Sequence, residues 1–212
     1  MERITERMEA AGAVLMVDWA IPAAPTGVVI VVDAGVAGRI GVRNRLAAEQ
    51  FRHSGLATIV VDLLTPAETR RAVGVGLDVG LQTGRLSGVI DRLTRRDTGL
   101  LPVGLFGVKN GCPVALATAA RRPDRVRAVV GQGGRPDRVS SALPTVAAPT
   151  LLIFGEHDEQ GRRSGEKAAA ELAGQAQISL VPAAAGDLTE AGAWEQATKW
   201  AADWFGEHLH TI

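Results

Sequence analysis

Lys109 is the residue whose type and position most directly suggest chemistry. It lies in Gly107-Val108-Lys109-Asn110-Gly111. An apolar run over 102–106 precedes this pentapeptide and reads as a buried strand. The stretch 110–121 that follows has small and apolar residues at helical spacing. It carries Pro113 in its first turn, where a missing N–H costs nothing. Two glycines around one central residue at a strand-to-helix turn form the G-x-Nuc-x-G pattern that presents a nucleophile. The glycines are steric requirements, because a Cβ at either place would collide with the neighbouring strand or helix. The central residue of such a turn is ordinarily Ser, Cys or Asp. A lysine there stands at a helix N-terminus, whose partial positive charge favours the neutral amine, and burial acts in the same direction. A neutral amine can form a Schiff base with a carbonyl or act as a general base.

The elements that must position this turn follow from hydrophobic periodicity. Strands are expected over 5–10, 13–20, 28–32, 57–61, 102–106, 126–130, 150–154 and 177–181. Helices are expected over 43–54, 77–96, 110–121, 136–143, 162–173 and 191–208. Loops fill 33–38, 131–135 and 155–158, and 63–76 is a long connection. Short continuous β-branched runs such as Val28 to Val32 mark strands buried on both faces of a parallel sheet. Strands alternating with helices predict an α/β fold with a doubly wound, mostly parallel sheet. No linker, repeat or low-complexity tract divides the chain, so a single domain over 1–212 is expected. Chemistry in such sheets gathers at the carboxyl ends of the strands.

Composition narrows the function classes. The formal net charge is zero, so there is no electrostatic footprint for nucleic acid or an anionic membrane. The N-terminus is charged and lacks an apolar h-region, and no apolar run is long enough to span a bilayer. Cys112 is the only cysteine, which fits a reducing cytoplasm and leaves no zinc spacing. No metal and no cofactor are called for. The partner expected is a small-molecule substrate or ligand, and a homo-oligomer stays open. Of 23 basic residues only Lys109, Lys167 and Lys199 are lysines, yet one of them occupies the turn.

Six phrases carry a resemblance: GLATIVVDLLTP (55–66), LPVGLFG (101–107), RRPDRVRAVV (121–130), GGRPD (133–137), APTLLIFGEHD (148–158) and ADWFGEHL (202–209). Over 27–209 the chain resembles the α/β-hydrolase superfamily, and within it the small cap-less dienelactone hydrolase-like branch. The resemblance implies an α/β-hydrolase fold without a cap domain. It also implies a Ser-His-Asp triad, which this chain does not reproduce. Lys109 stands at the serine's place, and Gly186 stands at the histidine's place, in Val181-Pro182-Ala183-Ala184-Ala185-Gly186. Asp158 matches the acid. The oxyanion loop, usually H-G-S-G, reads Asp33-Ala34-Gly35-Val36.

The missing groups are not expected from elsewhere. His53, His157, His208 and His210 read as surface residues, and Cys112 as a small buried filler. Acyl transfer needs nucleophile, base and orienter in one hydrogen-bonded chain, and that chain is not encoded. A carboxylate near Lys109 would keep it protonated, and Asp158 and Asp33 are the two candidates, both expected at the same sheet edge. Held by them, a protonated Lys109 could donate a proton or stabilise an enolate-like charge. An ion pair with one of them is expected, because a lone buried ammonium is very costly. The candidate catalytic set is therefore Lys109, Asp158 and Asp33. Three functions stay open: a repurposed, non-hydrolytic small-molecule enzyme (cyclisation, proton transfer or lyase chemistry), a non-catalytic binding or structural protein, and a hydrolase with an unrecognised nucleophile. Among the remaining residues, Asp187 and Glu190 read as a cap for the last helix. Arg43 to Arg45 read as solvated helix-start charges, with a structural bridge under the site as the alternative, Glu156 and His157 as loop surface, and 63–84 as the longest candidate lid.

Overall fold

The structure is a computed structural model that describes residues 2–34, 39, 41–71, 78–93 and 101–209. Eight strands form one sheet: β1 (Glu2–Ala10), β2 (Ala13–Ile21), β3 (Val28–Asp33), β4 (Ala57–Val61), β5 (Val103–Val108), β6 (Val126–Gln132), β7 (Thr150–Gly155) and β8 (Ala176–Val181). Their order is β1-β2-β4-β3-β5-β6-β7-β8. β2 is antiparallel to both of its neighbours, and every other pairing is parallel. The β1–β2 hairpin turns on Ala11 and Gly12, at φ 47° and 75°, the two positive φ values that match the twist of a tight hairpin.

Among the described residues six α-helices flank the sheet: α1 (Val42–His53), α2 (Pro66–Arg71), α3 (Val79–Leu93), α4 (Gly111–Arg121), α5 (Glu159–Glu171) and α6 (Ala193–His208). Successive side chains of a strand point to opposite faces, and β3 shows the consequence. Val28, Ile30 and Val32 join the core under α3 and α4, whereas Val29 and Val31 join the core under α1 and α6. In the second core the Phe51 ring stands edge-on to Phe106 and Phe205, at 5.1 and 5.5 Å. Both layers are required, because parallel strands are apolar on both faces.

Several expectations move. β5 extends to Val108 and β6 to Gln132, so the carboxyl edge is two residues nearer the site than the apolar runs suggest. The expected helix over 136–143 is two short 3-10 turns, Pro136–Val139 and Leu143–Thr145. The connection over 63–76 is not featureless, since it holds α2. That helix opens with a reciprocal cap: Thr65 N–H donates to Glu68 Oε2 (2.8 Å) and Glu68 N–H donates to Thr65 Oγ1 (3.3 Å). This T-x-x-E box is a recognised helix start. Residues 72–76 of the connection, 77 and 94–96 of the expected helix over 77–96, and 35–38 of the oxyanion loop lie outside the described residues. Among the described residues no helix is long and apolar enough to cross a membrane.

Candidate functional site

Lys109 links β5 to α4 with φ at 49°, a left-handed conformation that L-residues other than glycine rarely adopt. Its backbone is gripped from three sides. The Lys109 N–H donates to Gln132 O (2.7 Å), at the end of β6, and Cys112 N–H donates to Lys109 O (3.0 Å). A Cβ on Gly111 would overlap the Val32 carbonyl of β3, and one on Gly134 would overlap the Lys109 carbonyl. The strand-to-helix turn expected from the glycine spacing is thus present. Strain of this kind costs on the order of 1 kcal/mol and persists only where packing over-determines it.

The turn opens onto a cleft of about 400 Å³ lined by Lys109, Asp33, Arg43, Asn44, Gln132 and Trp194, among others. Lys109 and Asp33 therefore share one cleft, as the sequence suggested. The expected ion pair is not formed. The Lys109 side chain is exposed, and among the described residues no carboxylate pairs with its amine. The physical reason is that an exposed ammonium is solvated by water, so no desolvation has to be offset. Both carboxylates also have other donors. Asp33 Oδ2 accepts from Asn44 Nδ2 (2.9 Å), and Asp158 Oδ1 accepts from Gly161 N–H (2.8 Å) as the N-cap of α5. The cap explains why α5 begins at Glu159 rather than at the expected 162. Asp158 stands at the carboxyl edge, just past β7, but does not line the cleft that holds Lys109.

The position where the resemblance expects a histidine is also defined. A Cβ on Gly186 would lie 2.6 Å from Asp158 Oδ2. A side chain at 186 would thus emerge directly on the acid, and here the carboxylate lies against the glycine instead. The surrounding loop is tied down by hydrogen bonds. Glu156 accepts from Ala183 N–H, and Glu190 from Ala185 N–H, at 2.8 and 3.0 Å. Glu190 therefore braces this loop rather than capping α6 with its side chain. The N-cap of α6 is Gly192, and no side chain caps it. Asp187 accepts from Thr189 Oγ1 (3.3 Å).

Arg43 is not a freely solvated charge. Its guanidinium donates to Asp187 O and to Leu188 O (3.1 Å), and lies 5.4 Å from the centre of the Trp194 ring. It joins the start of α1 to the loop after β8. Among the described residues no histidine lines the cleft. His53 and His157 are exposed, and His208 is half-buried with Nδ1–H donating to Trp204 O (2.9 Å). His210 lies outside the described residues. Cys112 is fully buried, and burial pushes its thiol up to about 12; its sulfur fills the space beside Gly131.

Gln132 and Trp194 were not singled out by sequence as cleft residues. Gln132 ends an apolar strand, and a lone amide at the carboxyl end of a parallel strand is the signal that could have found it. The Trp194 ring packs on Phe106 (6.3 Å). Both are at least nine-tenths buried. Gln132 Nε2 donates to Gly186 O (3.4 Å). Gln132 Oε1 and Trp194 Nε1 have no hydrogen-bond partner among the described residues.

With this geometry established, comparisons place the chain among known proteins. No protein-family profile matches it. A crystal structure of dienelactone hydrolase from Anabaena variabilis is 37% identical, covers 99% of both chains and superposes with a TM-score of 0.95. A dienelactone hydrolase-like promiscuous phosphotriesterase from metagenomic libraries shares the fold, with a TM-score of 0.78 at 14% identity, over 98% of this chain and 99% of that one. Two Mycobacterium tuberculosis proteins, from strains H37Rv and CDC 1551, carry the name "Putative phosphoribosyl transferase". Each is 42% identical over 190 residues, which is 89% of this chain and 43% of its own length. The chain therefore spans about two fifths of the length of these curated relatives.

Proposed function

Because the chain belongs to the dienelactone hydrolase family, we propose that its cleft still handles a small carbonyl compound, but through Lys109 rather than by acyl transfer to a serine. The observation that carries this reading is the left-handed Lys109 at the base of an open cleft, beside the start of α4. A strained backbone around a solvated, chemically capable side chain is the arrangement of a working site. In this reading the Lys109 ammonium donates to the substrate carbonyl oxygen. Asp33 takes the proton from the adjacent carbon, the C–H electron pair moves into the enolate, and the charge is held by Lys109. Returning the proton to carbon closes the cycle with no co-reactant. Asp158 acts as a positioning residue, holding the loop after β8 through its place against Gly186.

Loss of ester hydrolysis is supported by the residues at the triad places, since neither Lys109 nor Gly186 supplies a serine-type nucleophile or an imidazole. The transferase name of the M. tuberculosis relatives describes proteins more than half of whose length lies outside the match. It enters this reading only as a pointer to small-molecule chemistry.

Proton exchange tests the proposal. Small ketones incubated in D2O should exchange their α-protons with the native protein, and Lys109→Met or Asp33→Asn should abolish the exchange. Alternatively, if the amine reacts as a neutral nucleophile, borohydride with an aldehyde should label Lys109 before Lys167 or Lys199. Absence of both exchange and preferential labelling would overturn the catalytic reading. A second reading, a non-catalytic binding domain, is favoured by the engagement of Asp158 as a helix cap. It predicts ligand binding with neither exchange nor preferential labelling.

A further inference from the structure

Asp33 and Lys109 are placed to pair and do not. In the parallel register of β3 and β5, Asp33 stands opposite Val108, the residue before Lys109. Neighbouring strands lie about 4.8 Å apart, and the four-carbon stem of a lysine spans that gap. Both residues line the cleft, yet among the described residues no carboxylate holds the Lys109 amine. Opposite charges attract at that range even across water, so the separation has a cause in the structure.

The cause lies in the first turn of α1. Asn44 also lines the cleft. It is only 2% exposed, and its Nδ2 donates to Asp33 Oδ2 at 2.9 Å. Chemistry sets the direction of the amide, because its carbonyl oxygen would repel a carboxylate where its N–H binds one. Fixing one oxygen limits how the carboxylate can turn. The donor is neutral, so it holds Asp33 without cancelling the negative charge. A lysine or arginine in its place would hold and neutralise at once. The adjacent cation is directed elsewhere, since Arg43 donates to Asp187 O and Leu188 O in the loop after β8.

We infer that Asn44 is a positioning residue: it holds the Asp33 carboxylate apart from the Lys109 ammonium, so that a bound carbonyl compound, rather than the carboxylate, meets the ammonium. The role rests on the proposed function, which takes Asp33 and Lys109 as the reacting groups. Without Asn44 the carboxylate turns to Lys109, and one ion pair occupies both groups at once.

Reductive methylation of the folded protein with formaldehyde and cyanoborohydride tests this. The rate at Lys109 is read by mass spectrometry against that at Lys167, an exposed lysine of α5. Asn44→Leu should slow Lys109 about threefold relative to Lys167, the size of effect expected of an ion pair at an exposed site. Asn44→Ala should do the same, which keeps the measurement decisive if the leucine variant does not fold. Asp33→Asn added to either variant should return Lys109 to its native rate, because the carboxylate that engages the ammonium is gone. A change in α1 packing alone would not be reversed in this way. An unchanged Lys109 rate in the single variants, or a slowed rate that persists after Asp33→Asn, overturns the inference.

Proton exchange on small ketones separates this inference from the proposed function. In Asn44→Leu the kcat/KM for exchange should fall at least as far as the Lys109 methylation rate, and exchange untouched by Asn44→Leu would overturn the positioning role. If native protein shows no exchange but the methylation pattern holds, the catalytic reading fails and the separation of the two groups by Asn44 stands. Exchange by native protein, with Lys109 methylation unchanged in the variants, leaves the catalytic reading and removes this inference.

Discussion

Asp158 and Gly186 are in contact: the carboxylate of one occupies the space into which a side chain on the other would grow, 2.6 Å from where its Cβ would be. Asp158 thus stands beside the position where the family resemblance expects a histidine, while serving as the N-cap of α5.

The contact dictates how a triad could be rebuilt. Lys109→Ser alone should not acylate with an activated ester, because no base takes the proton. Gly186→His alone should not acylate either. The His side chain must also displace Asp158 from the α5 cap, with a loss of about 1 kcal/mol in stability. The double variant should form a detectable acyl-enzyme by mass spectrometry, since triad members act as a unit. Adding Asp33→His should raise the rate, because a carboxylate beside a developing oxyanion is worse than a lost donor, itself about 3 kcal/mol. Native protein should cleave aryl esters no faster than a surface variant. Acylation of Lys109→Ser as readily as of the triple variant would reveal a base outside this account.

Backbone strain at Lys109 gives a stability prediction. Lys109→Asn should be neutral or stabilising by a few tenths of a kcal/mol, because Asn tolerates the left-handed region, and Lys109→Val should destabilise by about 1–2 kcal/mol. Urea unfolding measures both. Equal stability of the two variants would mean that the turn relaxes.

The Arg85–Glu68 pair predicts a pH dependence. Arg85 is buried and donates two hydrogen bonds of 2.7 Å to the Glu68 carboxylate, which lowers the Glu68 pKa from 4.5 to about 2. A depressed folded-state pKa contributes stability above the unfolded value, and that stability is lost as pH falls. Glu68→Gln should therefore cost roughly 2 kcal/mol near neutrality, the range for a buried charge left unpaired at a partly exposed site. The gap between native protein and variant should close between pH 4.5 and about 2. A constant gap would point to packing rather than ionisation.

Cys112 should be silent to thiol reagents. With the pKa at about 12, about one thiol in ten thousand is ionised at pH 8, and the sulfur is buried. Iodoacetamide should modify it only after unfolding. Rapid alkylation of native protein would mean that α4 opens locally.

The fold was legible because its strands are continuous β-branched runs and its sharpest turn is written in glycines. The alternation of Val28 to Val32 across both cores and the pairing of Gly107 with Gly111 both match the structure. Strand ends were less legible, since Gly107, Gly131 and Gln132 look like loop residues until the neighbouring strands supply their hydrogen bonds. The T-x-x-E cap of α2 is written at 65–68, although the stretch reads only as part of the long 63–76 connection. At the site, the placement of Asp33 and Lys109 in one cleft followed from topology. Their pairing did not follow, because solvation of Lys109 and the choice of Asn44 and Gly161 as donors depend on side-chain positions that no spacing encodes. Gln132 and Trp194 were hidden for the same reason: burial distinguishes an orphaned polar atom, and residue type does not.

The grip on the Lys109 backbone reaches beyond stability. The bend at 109 is held by main-chain atoms, with Lys109 N–H donating to Gln132 O and Cys112 N–H donating to Lys109 O, and by the room that Gly111 and Gly134 leave around it. Position 109 therefore behaves as a socket whose tool can be exchanged. The side chain presented at this turn can therefore change faster than the backbone that presents it.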